Sequence, residues 1–486
     1  MKKRIFVELL FLCALVHFTF AQATSIEGLF RYKLDNGLEL FVMENDSAPL
    51  AYIEIAIRGG AVTQTKENCG LFHLYEHMMF KGNEKYRNQK ACTEALNKMG
   101  VSDWNGTTGI DRVNYFFTVP SSLVYDGLEY WSYAIRTPLM DRDEFEKEKN
   151  VVLAEISGGQ SESGRIFAAG LFKTLFPESP WRLDSSGALS TIKNATIEQL
   201  RQIQKEYYVP QNTALFVGGD VKHDEVYSIV KKIYGSWENG PQAKGGPVKV
   251  NTPDKAPLKN DVKYVFADDR MGGNIIQFVY YLRGPDAETD AVDTYPADVW
   301  AYLLANPSGS FLQSLTTDKD LMIPDADYAG GGYSTMRASG MINFSAAMLN
   351  QGSSAVQKGE KLLKMLKGSV LENMYKTGTG FENENILKVK QTLEDSRIYS
   401  METAQKFLSS LSATWASSGA DYFIEYDSNI QKVQKTDISK YLDKYVKDKN
   451  GVAVLFVSPS YFEENKNEFD KYGWKVLNKD NAFWWQ

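Results

Sequence analysis

Leu38-Glu39-Leu40-Phe41-Val42-Met43, a polar turn at 44–49, then Ala51-Tyr52-Ile53-Glu54-Ile55-Ala56-Ile57-Arg58-Gly59: this stretch reads as strand, turn, strand, Arg-Gly. It decides the fold because it occurs twice. Val262-Lys263-Tyr264-Val265-Phe266, a polar turn at 268–274, and Ile275-Ile276-Gln277-Phe278-Val279-Tyr280-Tyr281-Leu282-Arg283-Gly284 repeat the pattern. The ends of the two halves also match. Thr196-Ile197-Glu198-Gln199 predicts a capping box and a helix to about Tyr208. Pro210-Gln211-Asn212 then turns into the strand Ala214-Leu215-Phe216-Val217. In the second half Thr436 is expected to open the helix, and Asp448-Lys449-Asn450-Gly451 turns into Val454-Leu455-Phe456-Val457. Within each half, strand pairs alternate with long amphipathic helices. The expected architecture is α+β: two homologous domains, each a mainly antiparallel sheet with helices packed on one face. The joint falls in 235–257, rich in Gly, Pro, Lys and Asn. That sets a first domain at 24–240, a linker at 241–257 and a second domain at 258–486.

Composition narrows the function. Lys2, Lys3 and Arg4 precede an apolar run over 5–20 and the small-x-small site Ala21-Gln22-Ala23, the pattern of a signal peptide at 1–23. A secreted or periplasmic protein is expected, with no membrane attachment after cleavage. The chain has 486 residues, too many for one ordinary domain, and a net charge of −7. An acidic chain without a basic block argues against a nucleic-acid partner. Beyond residue 23 the only cysteines are Cys69 and Cys92, so there is no disulfide framework, although one bridge could form. Cys69, just before the helix that follows, reads as packing or a disulfide partner rather than a metal ligand.

Histidine is scarce: His17, His73, His77 and His223 are all there are. Two of them sit in Gly70-Leu71-Phe72-His73-Leu74-Tyr75-Glu76-His77-Met78-Met79-Phe80. On a helix, positions three and four apart share a face. His73 and His77 can therefore chelate one Zn²⁺, and Glu76 beside them can take a proton from water at the metal. The order His-x-x-Glu-His is the inverzincin signature. The competing reading is a pair of helix histidines satisfied by hydrogen bonds. A catalytic zinc commonly takes a third protein ligand. His223 lies near a helix start, where an exposed capping position is the plainer reading, so a carboxylate is expected. The helix at 141–157 offers Glu144, Glu146, Glu148 and Glu155. Glu148 and Glu155 share a face, and Glu155 lies among apolar residues, which favours this pair without excluding the others.

These features resemble the insulinase/pitrilysin family of zinc metallopeptidases, which includes the mitochondrial processing peptidases. The resemblance begins at Leu34-Asp35-Asn36-Gly37-Leu38 and takes in Gly70 through Met78, Phe80-Lys81-Gly82 and Asn105-Gly106-Thr107-Thr108. It extends to Tyr208-Val209-Pro210-Gln211-Asn212 and Gly219-Asp220-Val221. It places the third zinc ligand on Glu155 and a further important carboxylate on Glu148. One Zn²⁺ per chain is implied, with Glu76 as the base and Glu148 orienting a ligand or the water. The same resemblance makes Asn105, Gly106 and Thr107 an edge strand that pairs with an extended peptide substrate. Gly106 stands where the family often has Ala, which should loosen that strand and leave room. The plain alternative there is an Asn-Gly turn.

The second half departs from the resemblance at one place. An Arg and a Tyr that reach the substrate in family members fall here on Thr316 and Ile323, while Tyr328, Tyr333 and Arg337 are out of step. The expectation is a zinc endopeptidase subunit whose homologous partner supplies the Arg/Tyr pair. A weak substitute within this chain is the other possibility. A non-catalytic scaffold or peptide-binding subunit of the same fold is the alternative function.

Overall fold

The computed structural model describes residues 22–240, 257–338, 340–370 and 381–486. The first half runs β1 (Gln22–Ala23), β2 (Leu29–Lys33), β3 (Glu39–Glu44), β4 (Leu50–Arg58), α1 (Leu71–Met79), α2 (Gln89–Lys98), β5 (Trp104–Thr108), β6 (Arg112–Pro120), α3 (Val124–Arg136), α4 (Arg142–Gly159), α5 (Ser163–Leu175), α6 (Leu189–Lys193), α7 (Ile197–Tyr207), β7 (Thr213–Gly219) and α8 (His223–Tyr234). The second half contributes β8 (Val262–Ala267), β9 (Ile275–Gly284), β10 (Ala329–Ser334), β11 (Gly340–Leu349), β12 (Val452–Val457) and β13 (Lys475–Val476).

Two sheets result, ordered β1-β2-β3-β7-β4-β6-β5 and β10-β11-β9-β12-β8-β13. The duplication is one of topology. In the first sheet β3, β7, β4, β6 and β5 are successive neighbours; in the second β8, β12, β9, β11 and β10 repeat that order. The two Leu-Phe-Val triplets occupy the equivalent strands β7 and β12. Each of these strands is parallel to one neighbour (β3 or β8) and antiparallel to the other (β4 or β9). The expected α+β class, with mainly antiparallel sheets, is what the chain adopts.

Each half's own helices lie on one face of its sheet. Ile53, Ile55, Tyr115 and Phe117 pack with Leu74 and Tyr75 of α1 and Leu128 and Trp131 of α3. The opposite faces are exchanged between halves. Phe41, Tyr52, Ala56 and Phe216 are covered by Phe407, Leu408, Leu411 and Trp415 of the helix Ala404–Ser417. Reciprocally, Val279, Val454 and Phe456 are covered by Leu171, Leu175 and Trp181 of the first half. Each such side chain contributes about 1.5–3 kcal/mol on burial. This exchange explains why β4, whose alternation alone would leave Tyr52, Glu54 and Arg58 facing water, is buried along almost its whole length.

Local signals held with one exception. Thr196 and Gln199 form the reciprocal capping box at the start of α7. The helix at Lys435–Tyr445 is instead capped by Gln434 with Asp437, and Thr436 lies inside its first turn. Gln22 and Ala23, the last residues of the expected signal peptide, pair with Arg31 and Phe30. Residues 1–21 lie outside the described residues, as does the expected linker apart from Pro257. No helix among the described residues is long and apolar enough to cross a membrane.

Cys69 and Cys92 are free and buried, so the possible bridge is absent. Burial pushes their thiols up, to about 12 and about 11 respectively. The thiolate is the reactive form. A disulfide reagent such as DTNB at pH 8 should therefore modify neither in the folded chain and both after denaturation; rapid labelling of the folded protein would contradict this packing.

The second half also holds a cavity of about 350 Å³ beside Asp298, Arg397, Tyr422 and Tyr426. Burial pushes the Asp298 carboxyl up to about 7, although the Tyr426 hydroxyl donates to it at 2.8 Å. The folded chain thus binds a proton that the unfolded chain releases near pH 4. Stability is lost as pH rises from about 4 to 7 and then levels. Asp298→Asn keeps an acceptor for Tyr426 and removes the buried charge. It should raise the unfolding temperature at pH 8, by roughly 1–3 kcal/mol in stability, and have little effect at pH 4. Equal shifts at both pH values would contradict the assignment.

Candidate metal centre and peptide cleft

The site is built where α1 leaves the sheet. Gly70 caps α1 in the left-handed region at φ 89°. A Cβ there would lie 2.4 Å from the Cα of Gly187, itself at φ 111°. Two glycines therefore let the 184–188 segment pass against the start of α1. That close approach puts the Ser186 carbonyl 3.3 Å from His73 Nδ1.

α1 presents His73, Glu76 and His77 together, the two rings edge to face with centroids 4.8 Å apart. α4 packs across α1 and supplies the acids. Its start is fixed by the Asp141 carboxylate, which accepts from the backbone of Asp143 and Glu144. Glu155 Oε2 sits 3.6 Å from His73 Nε2 and 3.5 Å from His77 Nε2. Glu148 Oε2 sits 3.0 Å from His77 Nδ1, while its other oxygen meets Lys81 Nζ at 2.6 Å. The remaining two acids of this helix pair with lysines on the same helix, Glu144 with Lys147 and Glu146 with Lys149. Packing thus brings Glu148 and Glu155 to the two histidines and leaves Glu144 and Glu146 on lysines.

His73, His77 and Glu155 offer ligand atoms that all lie within 4.8 Å of one another. Two ligands held at about 2.0–2.1 Å around a tetrahedral ion stand about 3.4 Å apart, so the donor set suits Zn²⁺. The outer nitrogens agree: His77 Nδ1 has Glu148 and His73 Nδ1 has the Ser186 carbonyl, which leaves both Nε2 atoms facing the common point. His223 is elsewhere, at the start of α8, stacked on Phe30 and 2.5 Å from the Tyr32 hydroxyl.

Glu76 is buried and accepts from the Thr108 hydroxyl at 2.6 Å. Burial holds its carboxyl above the usual range, opposed by that hydrogen bond and by His77. His73 is held below the ordinary imidazole value by burial and by its neighbour His77. His77 goes the other way: burial lowers it, but the bond to Glu148 and the charges of Glu155 and Glu76 outweigh this. Glu148 is likewise penalised by burial, yet His77 and Lys81 bring it below the usual carboxylate range.

The Asn105-Gly106-Thr107 segment is a strand, not a turn, and it is the outer strand of its sheet. Asn105 and Thr107 are exposed. Gly106 faces the other way, towards α1. Its missing side chain does not leave room for substrate, because a Cβ there would lie 2.9 Å from Glu76 Cγ and 3.0 Å from Tyr115. The space is taken by Glu76. The cleft measures about 520 Å³ and is lined by His73, Glu76 and Glu155, by residues 106–108 of β5, by Gly158, Gly159, Glu162 and Arg165, and by 184–186.

Lys81, Thr108 and Ser186 carry parts of this site that sequence reading did not assign. Phe80-Lys81-Gly82 and Thr108 belong to the resembling segments, but nothing in their spacing says which carboxylate each meets. In the second half Thr316 donates to the Leu312 carbonyl of its own helix, and Ile323 is core. Tyr333 donates to the Pro285 carbonyl, Tyr328 is exposed, and Arg337 is buried beside Glu288.

Comparison with known proteins places the chain in a family. Residues 40–180 match the family described as Insulinase (Peptidase family M16), and residues 194–393 match the Peptidase M16 inactive domain. The chain belongs to the peptidase M16, or insulinase, family. A probable mitochondrial-processing peptidase subunit beta from Arabidopsis thaliana is 26% identical over 208 residues, 43% of this chain and 39% of that protein. The zinc protease PqqE of Helicobacter pylori is 24% identical over 297 residues, 60% of this chain and 64% of the relative. A crystal structure of a protease from Helicobacter pylori superposes with TM-score 0.71 at 19% identity, covering 90% of this chain and 100% of that one. The matches span about half or less of the length of several curated relatives. The family relation carries the fold with its two M16 domains, and relatives named zinc proteases place zinc in the family.

Proposed function

We propose that this protein is a zinc-dependent endopeptidase that hydrolyses extended peptides bound along β5. The observation that carries the reading is the convergence of both Nε2 atoms and Glu155 on one point, with Glu76 beside them but outside the donor set. His73, His77 and Glu155 would hold one Zn²⁺; when bound, it supplies a Lewis acid that makes water acidic enough to be activated near neutral pH. Everything else is done by the chain. The exposed outer edge of β5 offers main-chain groups to an added strand, so Asn105, Gly106 and Thr107 bind backbone rather than side chains. Glu76 accepts the proton of the attacking water and returns it to the leaving amine. Thr108 fixes the orientation of Glu76, and Glu148, itself held by Lys81, fixes the ring of His77.

The domain limits 24–240, 241–257 and 258–486, the signal peptide at 1–23 and a secreted or periplasmic location belong to the same proposal. So does assembly with a homologous subunit that supplies an Arg and a Tyr, supported by Thr316, whose hydroxyl bonds back to its own helix, and by Ile323, which is buried in the core. A second reading, a non-catalytic peptide-binding subunit, is favoured by the inactive-domain match over 194–393.

The test is metal analysis of the purified chain with a library of quenched extended peptides, alone and with any co-purifying homologue, before and after chelation. The expected result is one zinc per chain and hydrolysis that is abolished by chelator and restored by zinc. Stoichiometric zinc with peptide binding but no cleavage, alone or with the homologue, would favour the second reading.

A further inference from the structure

One residue of the cleft has no part in holding the metal or moving a proton. Arg165, in the first turn of α5, lines the cleft with His73, Glu76 and Glu155. Among the described lining residues it is the single Lys or Arg. Its side chain is 39% exposed, yet it is held in place. The guanidinium packs against Gly159, where a Cβ would stand 2.6 Å from Nη1 and 2.8 Å from Cζ. Nη1 donates to Ser186 Oγ at 3.2 Å. Nε lies 3.5 Å from Glu162, whose side chain is 65% exposed. An exposed pair at that distance is worth at most about 1 kcal/mol and exchanges readily. Asp184, the other acid on this side, already accepts from the Ser186 backbone. The neighbouring Gly158 faces open space. Arg165 and the two glycines thus bring a planar cation and an open stretch of backbone to the cleft that β5, where a peptide would lie, also lines. A guanidinium of this kind matches a carboxylate through two parallel hydrogen bonds.

We propose that Arg165 determines specificity by binding a carboxylate of the peptide substrate, which displaces Glu162 from it. This deepens the endopeptidase reading and rests on it for the position of the peptide. The carboxylate could be an Asp or Glu side chain or the peptide's own C-terminus, and the test separates these sources.

The probes are fluorescent peptides that differ in one group: Glu against Gln at each position in turn, and free against amidated C-terminus. Binding is measured on zinc-loaded Glu76→Gln chain, which needs no turnover, and cleavage on the unmodified chain. One of the acidic groups should improve affinity and kcat/KM by roughly tenfold, a contribution of about 1.4 kcal/mol. Arg165→Gln should bring that ratio to about one, Arg165→Lys should keep part of it, and Arg165→Glu should reverse it in favour of Lys-containing peptides. Arg165 also touches Ser186, which orients His73, so zinc is measured in every variant. The ratio within one variant cancels any loss common to both peptides. A ratio near one in the unmodified chain, an unchanged ratio in Arg165→Gln, or no binding of either peptide would overturn the proposal. Hydrolysis without an acidic preference sinks this inference alone. An acidic preference in binding without hydrolysis sinks the catalytic reading alone.

Discussion

Glu76→Gln should retain one zinc per chain and lose turnover of an extended peptide by roughly 10²–10⁴-fold, the usual contribution of a positioned general base. The amide is nearly the same size and shape. It can still accept from the Thr108 hydroxyl, which meets Glu76 at 2.6 Å, so the local packing under Gly106 stays in place. What it cannot do is take a proton. The proposed metal donors are His73, His77 and Glu155, none of which the change touches. His73→Ala or Glu155→Ala should behave differently, losing zinc together with activity. The comparison needs metal analysis on the same samples used for kinetics. Turnover equal to the unmodified chain in a zinc-replete Glu76→Gln sample would remove Glu76 from its role. Zinc loss in that variant would mean that its carboxylate supports the metal site more directly than the donor geometry indicates.

The candidate metal site divides cleanly into what a sequence can and cannot reveal. His73, Glu76 and His77 are legible because helical periodicity alone fixes their relation within five residues. Glu155 is half legible. Its helix and the face shared with Glu148 follow from spacing, but the choice among four acids depends on how α4 crosses α1, and the family resemblance was needed to make it. Lys81, Thr108 and Ser186 reach the site only through tertiary packing, and Ser186 only because Gly70 and Gly187 allow two backbones to touch. Gly106 shows the limit most plainly. Read as a strand residue it suggests vacant space, whereas the structure fills that space with Glu76. The duplicated fold was legible because strand, turn and strand recur with the same punctuation. The exchange of covering helices was not, because an alternating strand looks the same whether its polar face meets water or another half of the molecule.

That hidden face leads to the second large effect, at Glu54. Its carboxylate is fully buried between the first sheet and the helix Ala404–Ser417. It accepts from Tyr52 at 2.8 Å, Asn114 at 2.8 Å, Arg112 at 3.1 Å and Ser412 at 2.5 Å. Arg112 also donates to the Ser409 carbonyl and the Ser412 hydroxyl, so the cluster joins the two halves. Glu54→Ala would leave these donors without their acceptor in a site from which water is excluded. Breaking a buried charged pair in this way costs about 3–5 kcal/mol. A large drop in unfolding temperature is expected, with a coupling of about 1–3 kcal/mol between Glu54→Ala and Ser412→Ala in a double-mutant cycle. Glu54→Leu should be better tolerated in volume but should still leave Arg112 without its carboxylate partner. The damage should not stop at stability. Asn114, which donates to Glu54, also accepts from the Thr107 hydroxyl on the outer strand. Loosening Asn114 should therefore weaken peptide binding at β5, seen as a higher KM, at temperatures where the variant remains folded. Zinc content should not change, since none of the proposed donors His73, His77 and Glu155 bonds to the cluster. A Glu54→Ala chain within about 1 kcal/mol of the original, with an unchanged KM, would show that this buried junction neither holds the halves together nor steadies the strand.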